Sequence, residues 1–156
     1  AHHYAGFITD RVAIPFLNMP QMTCDALARL VLSGSHIGIL ASPATNQTGL
    51  FQDLLSDEGL STLWPNDEDI VLATIQKIKT IGPTADDLAL LQKATDDLVD
   101  RGAAAILIGC TEFSLISSKL SAPVPIVDAL DVLVKATLAF SGATFSDQDY
   151  RNAASG

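Results

Sequence analysis

Basic residues are scarce in this chain of 156: nine Lys and Arg stand against eighteen Asp and Glu, for a net charge of −9. The nine are scattered singly along the sequence. No basic face is expected, which excludes nucleic acid and anionic membrane surfaces as partners. A small acidic substrate is not excluded, because helix N-termini bind carboxylates without Lys or Arg. Cysteine is scarcer still, with only Cys24 and Cys110. Neither stands at metal-ligand spacing and no His follows either at finger spacing, so no metal site is expected. No apolar run approaches the roughly 18 residues that span a bilayer. The opening Ala1-His2-His3-Tyr4 carries no signal-peptide pattern. Together these absences make a reduced, cytoplasmic chain the default expectation. What is plentiful is apolar residue, 48% of the chain, enough for a globular domain and its core.

Taken in order, residues 2–12 read as a helix without a visible N-cap, and residues 13–18 as a short strand. Residues 21–33 read as a helix with Thr23 as its cap and Leu27, Leu30 and Val31 as its inner stripe. Cys24 falls on that stripe and reads as core. The run His36–Ser42 reads as a buried parallel strand, and Pro43–Gly49 as a polar turn. A helix follows over 48–57, then a short strand at 61–65, placed near an edge by Pro65. Asp67-Glu68-Asp69 opens a helix that ends near Gly82-Pro83. Thr84 and Asp87 stand at capping-box spacing for the next helix, which runs to about Arg101. A last strand covers 124–127, and Asp128 caps a helix over 129–140 with Leu130, Leu133, Val134 and Leu138 inward. The tail reads as polar, with a short helix near 146–153.

Strands alternating with helices predict an α/β fold, a parallel sheet covered on both faces. Right-handed crossovers narrow it to a three-layer, flavodoxin-like sandwich. The centre of the pattern is Gly102–Phe113, a buried strand over 104–109 that runs into a tight turn and a helix from Thr111 to about Ser118. Cys110 stands at that junction. A thiol at the carboxyl end of a parallel strand lies where such folds place their chemistry, and the following helix favours a thiolate. A small buried core cysteine is the alternative.

Two stretches share one grammar: Ala13–Asn18 and Val124–Asp128 each lead an apolar, proline-containing segment into a helix. If this is a duplication, the first copy lacks the strand and turn equivalent to those around Cys110. Gly109-Cys110-Thr111-Glu112 after an Ala/Ile/Leu strand resembles the second-cysteine motif of the aspartate/glutamate racemase family. Ile39–Phe51 is similar to the strand and turn that open the family's second domain. Ala1-His2-His3 looks like the tail of its first-cysteine motif, and Pro125-Ile126-Val127-Asp128 like the strand before its returning C-terminal helix.

The resemblance implies a two-domain racemase fold of which this chain carries the second domain. Residues 1–20 would close a first domain whose front is missing, 21–128 would form the second domain with Cys110, and 129–156 would return to the first. It further implies cofactor-independent racemisation of aspartate or glutamate, in which two thiols face opposite sides of the substrate α-carbon and exchange its proton. Cys110 would be one acid/base thiol. Thr111 and Thr45 would contact the substrate, helped by Ser42 or Asn46. Glu112, where glutamate racemases have His, would tune the thiol or read the substrate ammonium, or would simply place acid in a first helical turn. The partners implied are a small amino acid and either a second copy or the missing N-terminal half. The chain alone is expected to be inactive, since Cys24 on a helix face cannot replace the missing thiol. The alternatives are a hydantoin racemase, maleate isomerase or arylmalonate decarboxylase of the same superfamily, or a binding module of this fold without catalysis. A nucleotide-binding domain is disfavoured, because Ser42–Gly49 is not a glycine-rich phosphate loop.

Overall fold

The computed structural model describes residues 15–142. The expected helix over 2–12, the start of the strand at 13–18 and the tail helix lie outside them. The elements are α1 (Met19–Ala28), β1 (His36–Leu40), α2 (Pro43–Gln47), α3 (Leu50–Asp57), β2 (Ser61–Leu63), α4 (Glu68–Ile81), α5 (Ala85–Asp100), β3 (Ala103–Ile108), α6 (Thr111–Ser114), a 3-10 turn (Ser117–Lys119), β4 (Ile126–Asp128) and α7 (Ala129–Ser141).

The four strands form one parallel sheet in the order β2-β1-β3-β4. β1 and β3 are the central pair, and apart from His36 and Ala104 they are buried on both faces. One face carries Ile37, Ile39, Ala105 and Leu107 against α1, α3 and the start of α7, through Cys24, Leu27, Phe51, Leu55 and Ala129. The other carries Leu40, Ile106 and Ile108 against α4, α5 and α6, through Val71, Ile75, Ile78, Leu91, Leu98 and Phe113. Successive strand residues point to opposite faces, yet Ala103 and Ile106 share one. A register irregularity opposite His36 and Ile37 accounts for this, since Ala103 pairs with His36 and Ala105 with Ile37. The result is the expected three-layer α/β sandwich in flavodoxin-like order.

Local chemistry explains most element ends. Thr84 and Asp87 form the capping box of α5 as their spacing predicts. Asp67 accepts from the Ile70 N–H at the start of α4, and Asp128 from the Leu130 N–H at the start of α7. The Pro43–Gly49 segment is not a plain turn. Ser42 caps it, Pro43 takes the first helical position and one turn of helix follows. Residues 15–18 form no strand, since Pro15 has no N–H for a ladder and the chain turns at once into α1. That helix starts at Met19 with Pro20 in its first turn, so Thr23 is interior and donates to the Met19 carbonyl at 2.7 Å instead of capping. The helix also stops at Ala28, leaving Leu30 exposed. The inward reading of α7 is corrected as well. Only Ala129 is buried, while Leu130, Leu133, Val134 and Leu138 are partly exposed and the helix packs mainly on α1.

Candidate active site

The chain leaves β1 toward one face of the sheet, through α2 and α3, and leaves the adjacent β3 toward the other, through α6. Between two such strands the following turns diverge and open a crevice outside the carboxyl ends, where α/β sheets bind ligands. The turn after β1 holds Ser42, Thr45 and Asn46; the turn after β3 holds Cys110, Thr111 and Glu112. The two turns start side by side. The Gly109 N–H donates to the Leu40 carbonyl at 2.9 Å, and a Cβ at Gly109 would lie 3.0 Å from Phe51 and 3.1 Å from Ala41.

Cys110 is half-buried at the N-cap of α6, and its Sγ donates to Glu112 Oε2 at 2.9 Å. The Thr111 hydroxyl reaches the same oxygen at 3.3 Å, and Lys79 Nζ lies 3.4 Å from Oε1. Burial, and next the Glu112 carboxylate, push the thiol up to about 12. The backbone N–H groups of Glu112 and Phe113 act the other way and are outweighed. The expectation that the helix start favours a thiolate is therefore corrected, because α6 is a single turn and an anion sits beside the sulfur. Burial alone would raise the Glu112 carboxyl. The Cys110 thiol, the backbone N–H of Glu112 and Lys79 outweigh it and hold that carboxyl below its ordinary value. The site thus rests as a neutral thiol on a carboxylate.

The residues after β1 are engaged differently. Ser42 and Thr45 pair through their hydroxyls at 3.0 Å, and Ser42 accepts from the Thr45 N–H at 3.3 Å, so both serve the cap of α2. The Asn46 amide nitrogen donates to Glu68, and its oxygen accepts from Gln52 Nε2 at 2.6 Å. Gln52 Oε1 is buried with no hydrogen-bond partner. The structure brings Thr111 and Glu112 to Cys110, and leaves Ser42, Thr45 and Asn46 on the neighbouring turn.

Helix α4 links the two turns, a link that sequence reading missed though it found the helix. Glu68 at its start holds Asn46, and Lys79 near its end faces Glu112. The two residues are eleven apart, about three turns at 3.6 residues each, so they fall on one line of the helix. That shared line was readable in the sequence; the groups the two residues meet were not. Cys24 is fully buried against Leu27 and Phe51, and burial, with the charges of Asp25 and Glu58, pushes its thiol up to about 12. It is core, as its place on the α1 stripe predicts. Among the described residues no three His, Cys, Asp or Glu gather as a metal site, and no helix is long and apolar enough to cross a membrane.

Residues 1–137 match the family model for Asp/Glu/hydantoin racemases. The chain is 30% identical over 126 residues to the "Uncharacterized protein in pnlA 3′ region" of Pectobacterium carotovorum subsp. carotovorum, covering 78% of this chain and 82% of that protein. It is 32% identical over 113 residues to a glutamate racemase of Roseiflexus sp. (strain RS-1), covering 70% of this chain and 39% of that enzyme. In structure it is similar to Picrophilus torridus aspartate racemase, with a TM-score of 0.71 at 24% identity, over 96% of this chain and 62% of that one. The chain thus spans less than two thirds of both named racemases. The family match over most of its length, together with a racemase-type α/β sheet, places this chain in the Asp/Glu/hydantoin racemase family.

Proposed function

We propose that the chain supplies one acid/base thiol, Cys110, to the racemisation of an acidic amino acid, aspartate or glutamate, without a cofactor. The observation that carries this reading is the Cys110 thiol donating to the Glu112 carboxylate at the carboxyl end of β3. A protonated thiol beside a carboxylate is the donor member of a two-base pair. It returns a proton to one face of the α-carbon after another base has removed the first from the opposite face. Thr111, Thr45, Ser42 and Asn46 are proposed to contact the substrate from the two turns. The negative charge that builds on the substrate carboxylate in the planar intermediate calls for hydroxyl and N–H donors of this kind.

The second base is proposed to lie outside these 156 residues, since the chain has two cysteines and Cys24 is sealed in the core. In this reading residues 1–20 and 129–156 belong with a first domain, residues 21–128 form the second, and the partner is that first domain or a second copy.

The test is racemisation of L- and D-aspartate and glutamate, followed by chiral chromatography, with hydantoins in the same panel because the matched family includes hydantoin racemases. Residues 1–156 alone are expected to show no turnover. Turnover by this chain alone that Cys110→Ala abolishes would place the whole site within it. In the longer protein, Cys110→Ala is expected to abolish turnover, and full turnover by that variant would remove Cys110 from the mechanism.

A further inference from the structure

We propose that Asp128, at the carboxyl end of β4, is a positioning residue for the Cys110 thiol, holding the one-turn helix α6 through Ser114 and Ser117. The proposal takes Cys110 as the reacting thiol and so rests on the function proposed above. By its place in the sequence Asp128 is a helix cap, and one of its bonds serves that role: the Leu130 N–H donates to Oδ1 at 2.9 Å. Two others do not. Ser114 Oγ donates to Oδ1 at 2.8 Å, and Ser117 Oγ donates to Oδ2 at 2.7 Å. The carboxylate is buried, and the donors to both its oxygens are neutral.

A single helical turn does not hold itself in water, because nucleation fixes several residues for one hydrogen bond. α6 needs an outside anchor, and the only residue of it that is fully buried is Phe113. Asp128 is placed to be the second anchor. Ser114, which it grips, donates its N–H to the Cys110 carbonyl at 3.2 Å, as Phe113 does at 3.0 Å. One residue therefore separates the Asp128 carboxylate from the backbone that carries the thiol. The turn is also met by Lys79 of α4, through Glu112. Among the described residues, the charged groups that meet this turn are Glu112 on the turn itself, Lys79 from α4 and Asp128 from β4. The first two set the charge at the sulfur, and Asp128 sets where the sulfur stands relative to them.

The test follows alkylation of Cys110 by iodoacetamide between pH 7 and 10 in the full chain, read by peptide mass spectrometry so that Cys24 is counted separately. Ser114→Ala/Ser117→Ala removes the clamp and keeps the Asp128 cap of α7. Loosening α6 is expected to release the thiol from its fixed approach to Glu112, raise the rate at pH 8 at least threefold and move the pH profile to lower pH. Thr84→Ala removes the cap of α5, away from this turn, and serves as the stability control. It is expected to lower Tm and leave the Cys110 rate less than threefold changed. A rise below threefold in the double variant, or a threefold rise in Thr84→Ala, overturns the proposal. Should the double variant fail to fold, Ser117→Ala alone is judged by the same threshold. Racemisation plays no part in this readout. Failure of the clamp leaves the catalytic role of Cys110 standing, and full turnover by Cys110→Ala in the longer protein removes that role whatever the clamp does.

Discussion

Cys110 and Glu112 are two residues apart, and that spacing at the start of a helical turn lets the thiol donate straight into the carboxylate. The pair favours the protonated thiol at neutral pH. Glu112→Gln keeps an acceptor and removes the charge, so the thiol is expected to fall from about 12 while staying above an ordinary cysteine, because burial is its first cause. Alkylation of Cys110 at pH 8 should become about tenfold faster, the effect of roughly one pH unit; an unchanged rate would show that burial alone sets the thiol. Asp87 is the corresponding structural case. Burial pushes its carboxyl up, but the bonds from Lys77 Nζ at 2.9 Å and from the Thr84 hydroxyl and N–H at 2.7 and 2.8 Å outweigh it and hold it below its ordinary value. A depressed carboxyl stabilises the fold above its unfolded value, near pH 3.9, and the contribution is lost as pH falls through the depressed value. Asp87→Ala should cost about 1–3 kcal/mol at pH 7. The gap between the two proteins in urea melts should close as pH drops below about 4.

At the scale of elements, the close approach of β1 to β3 and α5 is what lays the two site turns side by side. Gly38 is the point of tightest contact. A Cβ there would lie 2.8 Å from Ile106 Cδ1, 3.0 Å from Leu98 Cβ and 3.2 Å from Ala103 Cβ. Gly38→Ala should therefore destabilise by about 1–3 kcal/mol through overpacking, visible as a lower Tm with the secondary structure retained. Phe113 anchors the far side, fully buried in the α4–α5–α6 layer. Phe113→Ala should cost about 3–5 kcal/mol and raise the alkylation rate of Cys110, because the same side chain that fills the core fixes the turn. Helix α4 was legible as an amphipathic helix from the stripe of Ile70, Val71, Thr74, Ile75 and Ile78, of which all but Ile70 are buried. Its role as a strut was not, because periodicity reports which face of a helix is inward and is silent on what its polar ends meet.

For the whole molecule, the apolar side chains left exposed are the informative feature. Leu30, Phe16 and Phe140 are 55%, 46% and 64% exposed, and α7 keeps Leu130, Leu133, Val134 and Leu138 only partly covered. Large apolar side chains left exposed in this number are what an interface would cover. The 16.4 kDa chain is expected to associate, with itself or with a first domain, at micromolar concentration. Light scattering should give a mass above that of one chain, and Leu133→Asp on α7 should return it to the monomer. A stable unmodified monomer would count against the association.

Alternation of strand and helix signals, with apolar runs of β type at 36–42 and 104–109, was enough to determine an α/β parallel sheet and its helices. These are local signals, set by side-chain period and by capping residues such as Asp67, Thr84 and Asp128. The Gly109–Glu112 motif likewise placed the thiol at a strand end. Tertiary structure alone decided what surrounds it. The direction in which the thiol is shifted depends on how deeply Cys110 is buried and on where the Glu112 carboxylate turns. The bonds from Asn46 to Glu68, from Lys79 to Glu112 and from Ser114 and Ser117 to Asp128 join residues 11 to 33 positions apart. No period of the chain brings such groups together; packing of α4 and β4 around the carboxyl ends of β1 and β3 does.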